Sequence, residues 1–242
     1  SAPELRLAGR DLPESVDEQP RKGRVVPSPD LQDYMARQEA ELTVDEFRRW
    51  PPPRGAAAGP AVPEINILAA GVDGQMHPAN AYLKGFVPFA TDKYWVPLAA
   101  VSLRVRYLRD DPGFLGKYAD VWQTSPYNYK NMWGDCEDFA ILLADWMIGL
   151  GYDARVVVGR VKGEGHAWVV MERGGQEYLL EATGRGSRRS FPLTRLHPEY
   201  EPECMFDRDS FWVRKQRSPY SFSGPEAPWF RIAQFVAERP AE

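Results

Sequence analysis

The stretch that decides the fold runs from residue 133 to residue 159 and reads WGDCEDFAILLADWMIGLGYDARVVVG. Its segment 135–150 contains no proline and is apolar on most faces, and Gly149 and Gly151 follow as stop signals. This pattern predicts a buried central helix. The valine-rich residues after it predict a strand, because β-branched side chains are enriched in strands.

Three short β-rich runs follow the predicted helix. They read ARVVVGRV (154–161), HAWVVM (166–171) and QEYLLE (176–181), and ERGG separates the last two. A short glycine-containing connection between two such runs indicates a hairpin. A long helix followed by an antiparallel meander predicts an α+β fold, in which the helix packs on an antiparallel sheet.

The first quarter of the chain differs in composition from the rest. Residues 1–30 are polar and rich in proline, which predicts an extended arm or a disordered tail. Residues 31–50 contain helix formers throughout and predict short helices, whereas PPPRGAAAGPAVP (51–63) predicts a linker. We therefore expect an N-terminal arm over residues 1–63 and one main domain over residues 64–242.

One further segment of the main domain has an ambiguous pattern. In residues 97–110 apolar side chains recur at three- and four-residue steps, yet Val101, Leu103 and Val105 also alternate as in a strand. Pro97 suits the first position of a helix and Pro112 follows its end, so a helix is the favoured interpretation.

Composition and charge exclude some classes of partner. Of the 242 residues, 43% are hydrophobic, which is typical of a globular protein. The formal net charge of -4 gives no general attraction to nucleic acid, so none is expected as a partner. No apolar run approaches the roughly 20 residues that span a bilayer. The N-terminus lacks the pattern of an export signal, but a removed signal would leave no trace, so the compartment stays open, with a periplasmic or secreted protein slightly favoured.

Cys136 is the first candidate for chemistry. It stands at the start of the predicted helix, one residue after Asp135, which is a good N-cap residue. A helix N-terminus favours the thiolate, which is the nucleophilic form. The alternative is a small buried hydrophobic residue, as most single cysteines are. The chain has one other cysteine, Cys204, and a bridge between the two would consume the nucleophile, so we expect both thiols to be reduced.

His166 and Glu181 are the second and third candidates. His166 begins a predicted strand and Glu181 ends the next one. If residues 172–175 form a four-residue loop, His166 lies directly opposite Glu181 and the two side chains share one face. A tighter turn at Gly174 and Gly175 would instead leave Glu181 only diagonal to the histidine. A carboxylate beside an imidazole fixes its tautomer and stabilises the imidazolium, which is the third role in a catalytic triad.

These motifs carry a family resemblance. The stretch quoted first, together with GHAWVVM (165–171) and EYLLEAT (177–183), resembles the transglutaminase-like superfamily. DVWQTSP (120–126) is similar to the lead-in of its bacterial cysteine proteinases. The resemblance extends over roughly residues 95–215 and implies a papain-like core.

The resemblance also implies residue roles. Cys136 corresponds to the nucleophile, His166 to the base and Glu181 to the third residue, which is usually aspartate in the superfamily. For the oxyanion hole we expect the Cys136 N–H with a side-chain donor, Gln123 as the first choice and Trp122 as the second.

Calcium is a weaker implication of the same resemblance. Proteinases of this branch that cut adhesins bind calcium through acids beside their cysteine, and Asp135, Glu137 and Asp138 stand at similar places here. Acids in the first turn of a helix are favourable without a metal, and three carboxylates do not complete the ligand set of calcium. We therefore expect no metal and no cofactor.

The function expected from the sequence is a cysteine hydrolase, a peptidase or amidase acting on amide bonds of a protein or peptide. Three alternatives stay open: a transamidase with the same triad, a catalytically silent binding module of the same fold and, more remotely, an enzyme that transfers an acyl group from a small thioester donor. The sequence makes no prediction about the oligomeric state.

Overall fold

The computed structural model describes residues 18–31, 67–110, 118, 120–184, 191–214 and 229–238. Of the helices predicted over residues 31–50, only Leu31 is described, and it belongs to a helical segment that starts at residue 29. The linker predicted over 51–63 lies outside the described residues. The boundary at residue 63 therefore stays a prediction.

The described residues include three α-helices and eleven strands, and residues 29–31 are helical as well. The helices are α1 (Val96–Arg104), α2 (Ser125–Asn131) and α3 (Cys136–Gly149). The strands are β1 (Gly23–Pro27), β2 (Leu68–Ala70), β3 (Met76–Pro78), β4 (Arg106–Tyr107), β5 (Trp133–Gly134), β6 (Asp153–Val161), β7 (Glu164–Arg173), β8 (Gln176–Leu180), β9 (Tyr200–Phe206), β10 (Ser210–Arg214) and β11 (Trp229–Ala237). Two 3-10 turns cover Ala79–Tyr82 and Thr194–Leu196.

Seven strands form one antiparallel sheet in the order β1-β11-β10-β9-β6-β7-β8. The strands β2 and β3 form a small antiparallel pair, and β4 and β5 form a small parallel pair. The predicted α+β class is confirmed, since one helix, α3, packs on the large antiparallel sheet against β6 and β7.

The central helix is confirmed within one residue of its predicted ends. Asp135 adopts the extended backbone of an N-cap residue, although its side chain makes no capping hydrogen bond. At the other end Gly151 has a φ of 89°, a left-handed conformation that glycine adopts at little cost. Trp146, Leu142 and Met147 are fully buried, as the apolar pattern predicts.

The sheet has an apolar cluster on each face. Val156, Val169 and Met171 face α3 in the main core. Because side chains alternate along a strand, Val157, Trp168 and other residues point to the opposite face, where they form a second, smaller cluster. The strands predicted over 154–161 and 166–171 are therefore interior strands of the sheet, and the strand predicted over 176–181 is its edge strand.

The favoured hairpin register was wrong. Arg173 pairs with Gln176, so the β7–β8 turn has two residues, Gly174 and Gly175, with φ of 63° and 73°. Two successive residues with positive φ form a type I′ turn, which matches the right-handed twist of the flanking strands. Glycine adopts positive φ at the least cost. The alternative register therefore holds, and Glu181 follows the last paired residue, Leu180.

The helix predicted over 97–110 is confirmed only for its first part. Pro97 lies in the first turn and the helix ends at Arg104. Beyond it the backbone is extended, and the Arg106 and Leu108 N–H groups donate to Met132 and Gly134. This pairing with β5 competes with further helical hydrogen bonds, and it explains why the segment also carries a strand pattern.

Part of the N-terminal arm is a strand of the large sheet. Residues of β1 pair with β11 from Gly23 to Pro27. Arg21 anchors the segment, because its backbone N–H donates to Ala81 and its guanidinium lies over the Phe235 ring. Of the two predicted states of the arm, this portion is extended.

Candidate active site

A cleft of about 540 Å³ opens between the start of α3 and the ends of β6 and β7. Both Cys136 and His166 line it. The wall carries more acidic than basic side chains: Asp110, Asp120, Asp135, Glu137, Glu164 and Glu203 against Arg109 and Arg160. A nucleophile and a base that share one accessible cleft meet the first requirement of nucleophilic catalysis.

The imidazole of His166 contacts the Glu181 carboxylate. Nε2 lies 2.7 Å from Oε2, and the two side chains are only 18% and 14% exposed. Since Nε2 faces the carboxylate, Nδ1 is the ring nitrogen left for the side-chain interaction with Cys136. The structure thus brings together Cys136, His166 and Glu181.

The predicted route to this contact was wrong although the contact forms. In the observed register position 181 extends toward Trp168, so Glu181 is a diagonal neighbour of His166. Diagonal positions are about 7–8 Å apart, a distance that long side chains bridge. The extra methylene of glutamate is therefore what lets this position reach the histidine.

The carboxylate of Glu181 is held at both oxygens. Oε1 accepts from the Thr183 N–H at 2.8 Å and from its hydroxyl at 2.6 Å. Oε2 accepts from His166 and, at 3.1 Å, from the Tyr200 hydroxyl. Neither Thr183 nor Tyr200 was predicted from the sequence. Thr183 could have been suggested by its position two residues after Glu181, from which its N–H and hydroxyl can reach the carboxylate. The sequence near Glu181 gave no comparable indication of Tyr200.

Hydrogen bonding shifts the charges of this pair. Burial favours the neutral imidazole, but its hydrogen bonds with Cys136 and Glu181 raise the pKa of His166 to about 9. Burial also opposes the charge on Glu181, yet the contacts with His166 and Thr183 lower the pKa of that carboxyl. The site therefore favours an imidazolium beside a carboxylate at neutral pH.

The two cysteines occupy different environments. Cys136 is partly exposed at the helix N-terminus and Cys204 is buried in β9. Burial, with a contribution from the charge of Glu203, raises the pKa of Cys204 to about 12. Only Cys136 combines access with a nearby base, so Cys204 serves as an internal reference for reactivity.

Neither predicted oxyanion side chain is available as placed. Gln123 is fully buried, and its Nε2 donates to Asp138 at 2.6 Å and to the Trp133 carbonyl at 3.1 Å. Both amide hydrogens are thus engaged away from the cleft. Trp122 does line the cleft, but its indole N–H donates to Asp120 at 3.2 Å.

An acidic cluster lies beside the nucleophile. One carboxylate oxygen each from Asp110, Asp120, Asp135 and Glu137 can be chosen so that all lie within 4.8 Å of one another. Within the part of the chain that the structure describes, Asp135 Oδ1 and Glu137 Oε1 are buried without a hydrogen-bond partner. Buried carboxylate oxygens without donors fit a hard cation such as calcium, which prefers oxygen ligands.

Two of the three calcium candidates therefore belong to this cluster. The third, Asp138, instead accepts from the Gln123 backbone and side chain. Burial and the neighbouring Asp135 raise the pKa of Glu137, which is the response expected of carboxylates crowded without a cation.

The other two histidines have carboxylate partners elsewhere. His77, which lies in β3 and not in a loop, contacts Asp73 at 2.9 Å. His197 contacts Glu199 at 2.9 Å through Nδ1. Neither lines the cleft that contains Cys136.

The segment that carries the site is similar to a peptidase-like family. A family model described as the CEP76 peptidase-like domain matches residues 120–222, a segment that contains Cys136, His166 and Glu181. The resemblance predicted from the sequence is confirmed for this segment.

Individual proteins are also similar to parts of this chain. Human protein CC2D2B is 30% identical over 102 residues, which are 41% of this chain and 7% of that protein. Legionella pneumophila LapG in its EGTA-treated form gives a TM-score of 0.43 at 16% identity, covering 57% of this chain and 74% of LapG. Calcium-bound LapG gives 0.42 at 17% identity, covering 60% and 80%. The chain thus spans a small part of the curated relative.

No helix among the described segments has both the length and the apolar character needed to cross a bilayer.

Proposed function

We propose that this chain is a cysteine hydrolase that cleaves amide bonds of a protein or peptide through Cys136, His166 and Glu181. The observation that carries the proposal is the convergence of a partly exposed thiol, an imidazole and a carboxylate at one cleft. The matched peptidase-like family model supports the same class of reaction.

The first half of the reaction forms a thioester. The reactive form pairs the Cys136 thiolate with the His166 imidazolium, and the thiolate attacks the amide carbonyl carbon to give a tetrahedral oxyanion. The C–N bond then breaks while the imidazolium gives its proton to the leaving amine. In the second half His166 takes a proton from water, the hydroxide attacks the thioester, and the carboxylic acid leaves as the thiol is restored.

Glu181 has an orienting role in this scheme. Its Oε2 holds the Nε2–H side of the ring, which leaves Nδ1 as the atom that exchanges protons with sulfur. Its negative charge stabilises the imidazolium formed in both halves of the reaction. The hydrogen bonds from Thr183 keep the carboxylate ionised and in place.

For the oxyanion we propose the backbone N–H of Cys136 as one donor, since the first N–H groups of a helix have no partner within it. Trp122 is the preferred side-chain donor, because it lines the cleft while Gln123 does not. Its indole N–H would have to exchange Asp120 for the substrate oxygen.

A divalent cation bound by Asp110, Asp120, Asp135 and Glu137 would supply positive charge beside the start of α3. The chain's own residues would then keep this segment ordered next to Cys136. The roles of the sulfur, imidazole and Glu181 described above are the same with or without the cation.

Alkylation by iodoacetamide tests the nucleophile without a known substrate. Modification of Cys136 and Cys204 is followed by mass spectrometry across pH 5–10, in the wild type and in His166→Gln. We expect Cys136 to react faster than Cys204 near neutral pH, and His166→Gln to reduce that advantage at least about tenfold. Equal rates at the two cysteines would contradict the enzyme and favour a silent binding module.

A second assay separates hydrolysis from transamidation. The protein is incubated with a glutamine-containing peptide mixture and a labelled primary amine, with Cys136→Ser as the control. Peptide cleavage or ammonia release that depends on Cys136 supports the proposal. Incorporation of the amine in excess of hydrolysis would overturn it in favour of a transamidase.

A further inference from the structure

Tyr200 contacts the orienting carboxylate from a distant strand. Its hydroxyl donates to Glu181 Oε2 at 3.1 Å, and this is the oxygen that faces His166 Nε2 at 2.7 Å. The Tyr200 ring packs edge-on against Trp168, with ring centroids 5.1 Å apart, and Trp168 in turn stacks beside His166. The phenol is therefore held by packing at the point where the carboxylate and the imidazole meet.

A β-bulge places Tyr200 on this side of the sheet. The β6–β9 register pairs Val158 with Cys204 but Gly159 with Pro202, so Glu203 is an extra residue on β9. With this shift Tyr200 pairs with Val161 and shares a face with Trp168. Without it the side chain of Tyr200 would point to the opposite face, because a one-residue slip inverts the alternation.

The bulge requires the glycine at position 159. A Cβ at this position would lie 2.2 Å from the Glu201 carbonyl oxygen and 2.8 Å from the Pro202 Cα. Both are backbone atoms, so they cannot rotate away. Gly159 also pairs directly with His166 on its other side. The absence of a side chain at Gly159 therefore allows the bulge next to His166. Bulges of this kind commonly change the direction of a side chain beside an active site.

We propose that Tyr200 is a positioning residue of the catalytic triad, which holds Glu181 Oε2 against the His166 ring. The inference rests on the proposed function, because it assigns a role within the same triad. Thr183 occupies Oε1 and Tyr200 occupies Oε2, so the carboxylate is prevented from turning either oxygen toward water. The two residues together compensate for the extra rotatable bond of glutamate.

The Tyr200 phenol keeps its proton at neutral pH and therefore acts as a donor there. Burial, followed by the charge of Glu181, raises the pKa of the phenol above its usual value. The groups that face His166 are Cys136 from α3, Glu181 after β8 and Tyr200 from β9. Arg160 and Glu164 line the same cleft from β6 and β7. Removing one hydroxyl therefore leaves all the charges of this set unchanged.

The test compares Tyr200→Phe with the wild type. The readout is the titration of the His166 ring by NMR, assigned by its loss in His166→Gln, together with the pH profile of Cys136 alkylation. Tyr178→Phe is the matched control, because it removes a hydroxyl that donates to Gln176 at an exposed position of β8. Tyr200→Leu is a second variant that lacks the hydroxyl and packs differently.

We expect the midpoint of His166 to fall by about half a pH unit or more in Tyr200→Phe, because a loosened carboxylate stabilises the imidazolium less. The alkaline inflection of the alkylation profile should move with it, while Tyr178→Phe matches the wild type. Tyr200→Leu should show at least the same shift.

An unchanged or raised His166 midpoint in folded Tyr200→Phe would overturn the inference, and a shift seen only in Tyr200→Leu would show that the ring acts by packing alone. Failure of the Tyr200 proposal can be distinguished from failure of the proposed triad. Failure of the triad itself appears in the wild type, as equal alkylation of Cys136 and Cys204, whatever the tyrosine variants do.

Discussion

Shortening Glu181 to aspartate tests the geometry of the site most directly. Aspartate is the usual acid of the superfamily that the sequence resembles, so likeness alone predicts a neutral or favourable change. The structure predicts the opposite. Glu181 lies beyond the end of β8 and only diagonal to His166, and its carboxylate reaches Nε2 at 2.7 Å because of its full length.

The magnitude follows from the bond lost. Removing one methylene withdraws the carboxylate by about 1.5 Å, which takes Oε2 out of hydrogen-bond reach of Nε2. Hydrogen bonds to charged groups contribute roughly 1.5–3 kcal/mol, which corresponds to about one to two pKa units. The pKa of His166, about 9 in the wild type, should therefore fall by about one to two units in Glu181→Asp.

The assay is the pH dependence of Cys136 alkylation, supported by NMR titration of His166. Glu181→Asp should move the alkaline inflection to lower pH and slow alkylation at neutral pH about tenfold or more. Glu177→Asp, the same change on β8, serves as the control and should behave as the wild type. A Glu181→Asp protein with an unshifted His166 midpoint would refute the reasoning from register and reach.

Three further predictions concern stability. Gln123→Ala should lower the free energy of unfolding by about 1–3 kcal/mol in urea denaturation, because buried Asp138 loses a side-chain donor; an unchanged midpoint would contradict this. The pKa of His166 in the folded protein, about 9, lies above its ordinary value of 6.5. The stabilisation that His166 contributes is therefore complete below pH 6.5 and is lost as the pH rises toward about 9. Thermal scans should show this decline in the wild type and less of it in His166→Gln, and equal slopes would count against the ion pair. Gly159→Ala should shift the β6–β9 register or unfold the protein, detectable by hydrogen exchange at β9, and wild-type exchange would show that the bulge tolerates a side chain.

The sequence predicted the framework of the fold because its signals there are local. The central helix has a continuous apolar pattern with glycines at its end, and α3 matches it closely. The three valine- and leucine-rich runs became β6, β7 and β8, because their composition and turns agree with the sheet. Cys136 begins α3 and His166 is the third residue of β7, and position, the predicted hairpin and the family resemblance together made them candidates.

What the sequence could not determine depends on register. The composition of ERGG allowed both a four-residue loop and a tight turn, and the strand twist favours the tight one. Tyr200 gave no signal, since its orientation depends on an extra residue, Glu203, within another strand. Gln123 was the first choice for the oxyanion donor because its hydrogen bond with Asp138 could not be foreseen. Asp138 is fifteen residues away in sequence and contacts Gln123 only in the folded core.

The pairing of β1 with β11 bears on how this protein should be handled. Five residue pairs, from Gly23 with Ala237 to Pro27 with Ala233, join the N-terminal arm to the last strand. Trimming the chain at the boundary predicted near residue 63 would remove β1, one of the two neighbours of β11, and leave unpaired N–H and C=O groups along that side of β11. An exposed edge strand of this kind can pair with strands of other molecules and cause aggregation. A shortened protein that precipitates would therefore report a missing strand and would say nothing about the chemistry of the cleft.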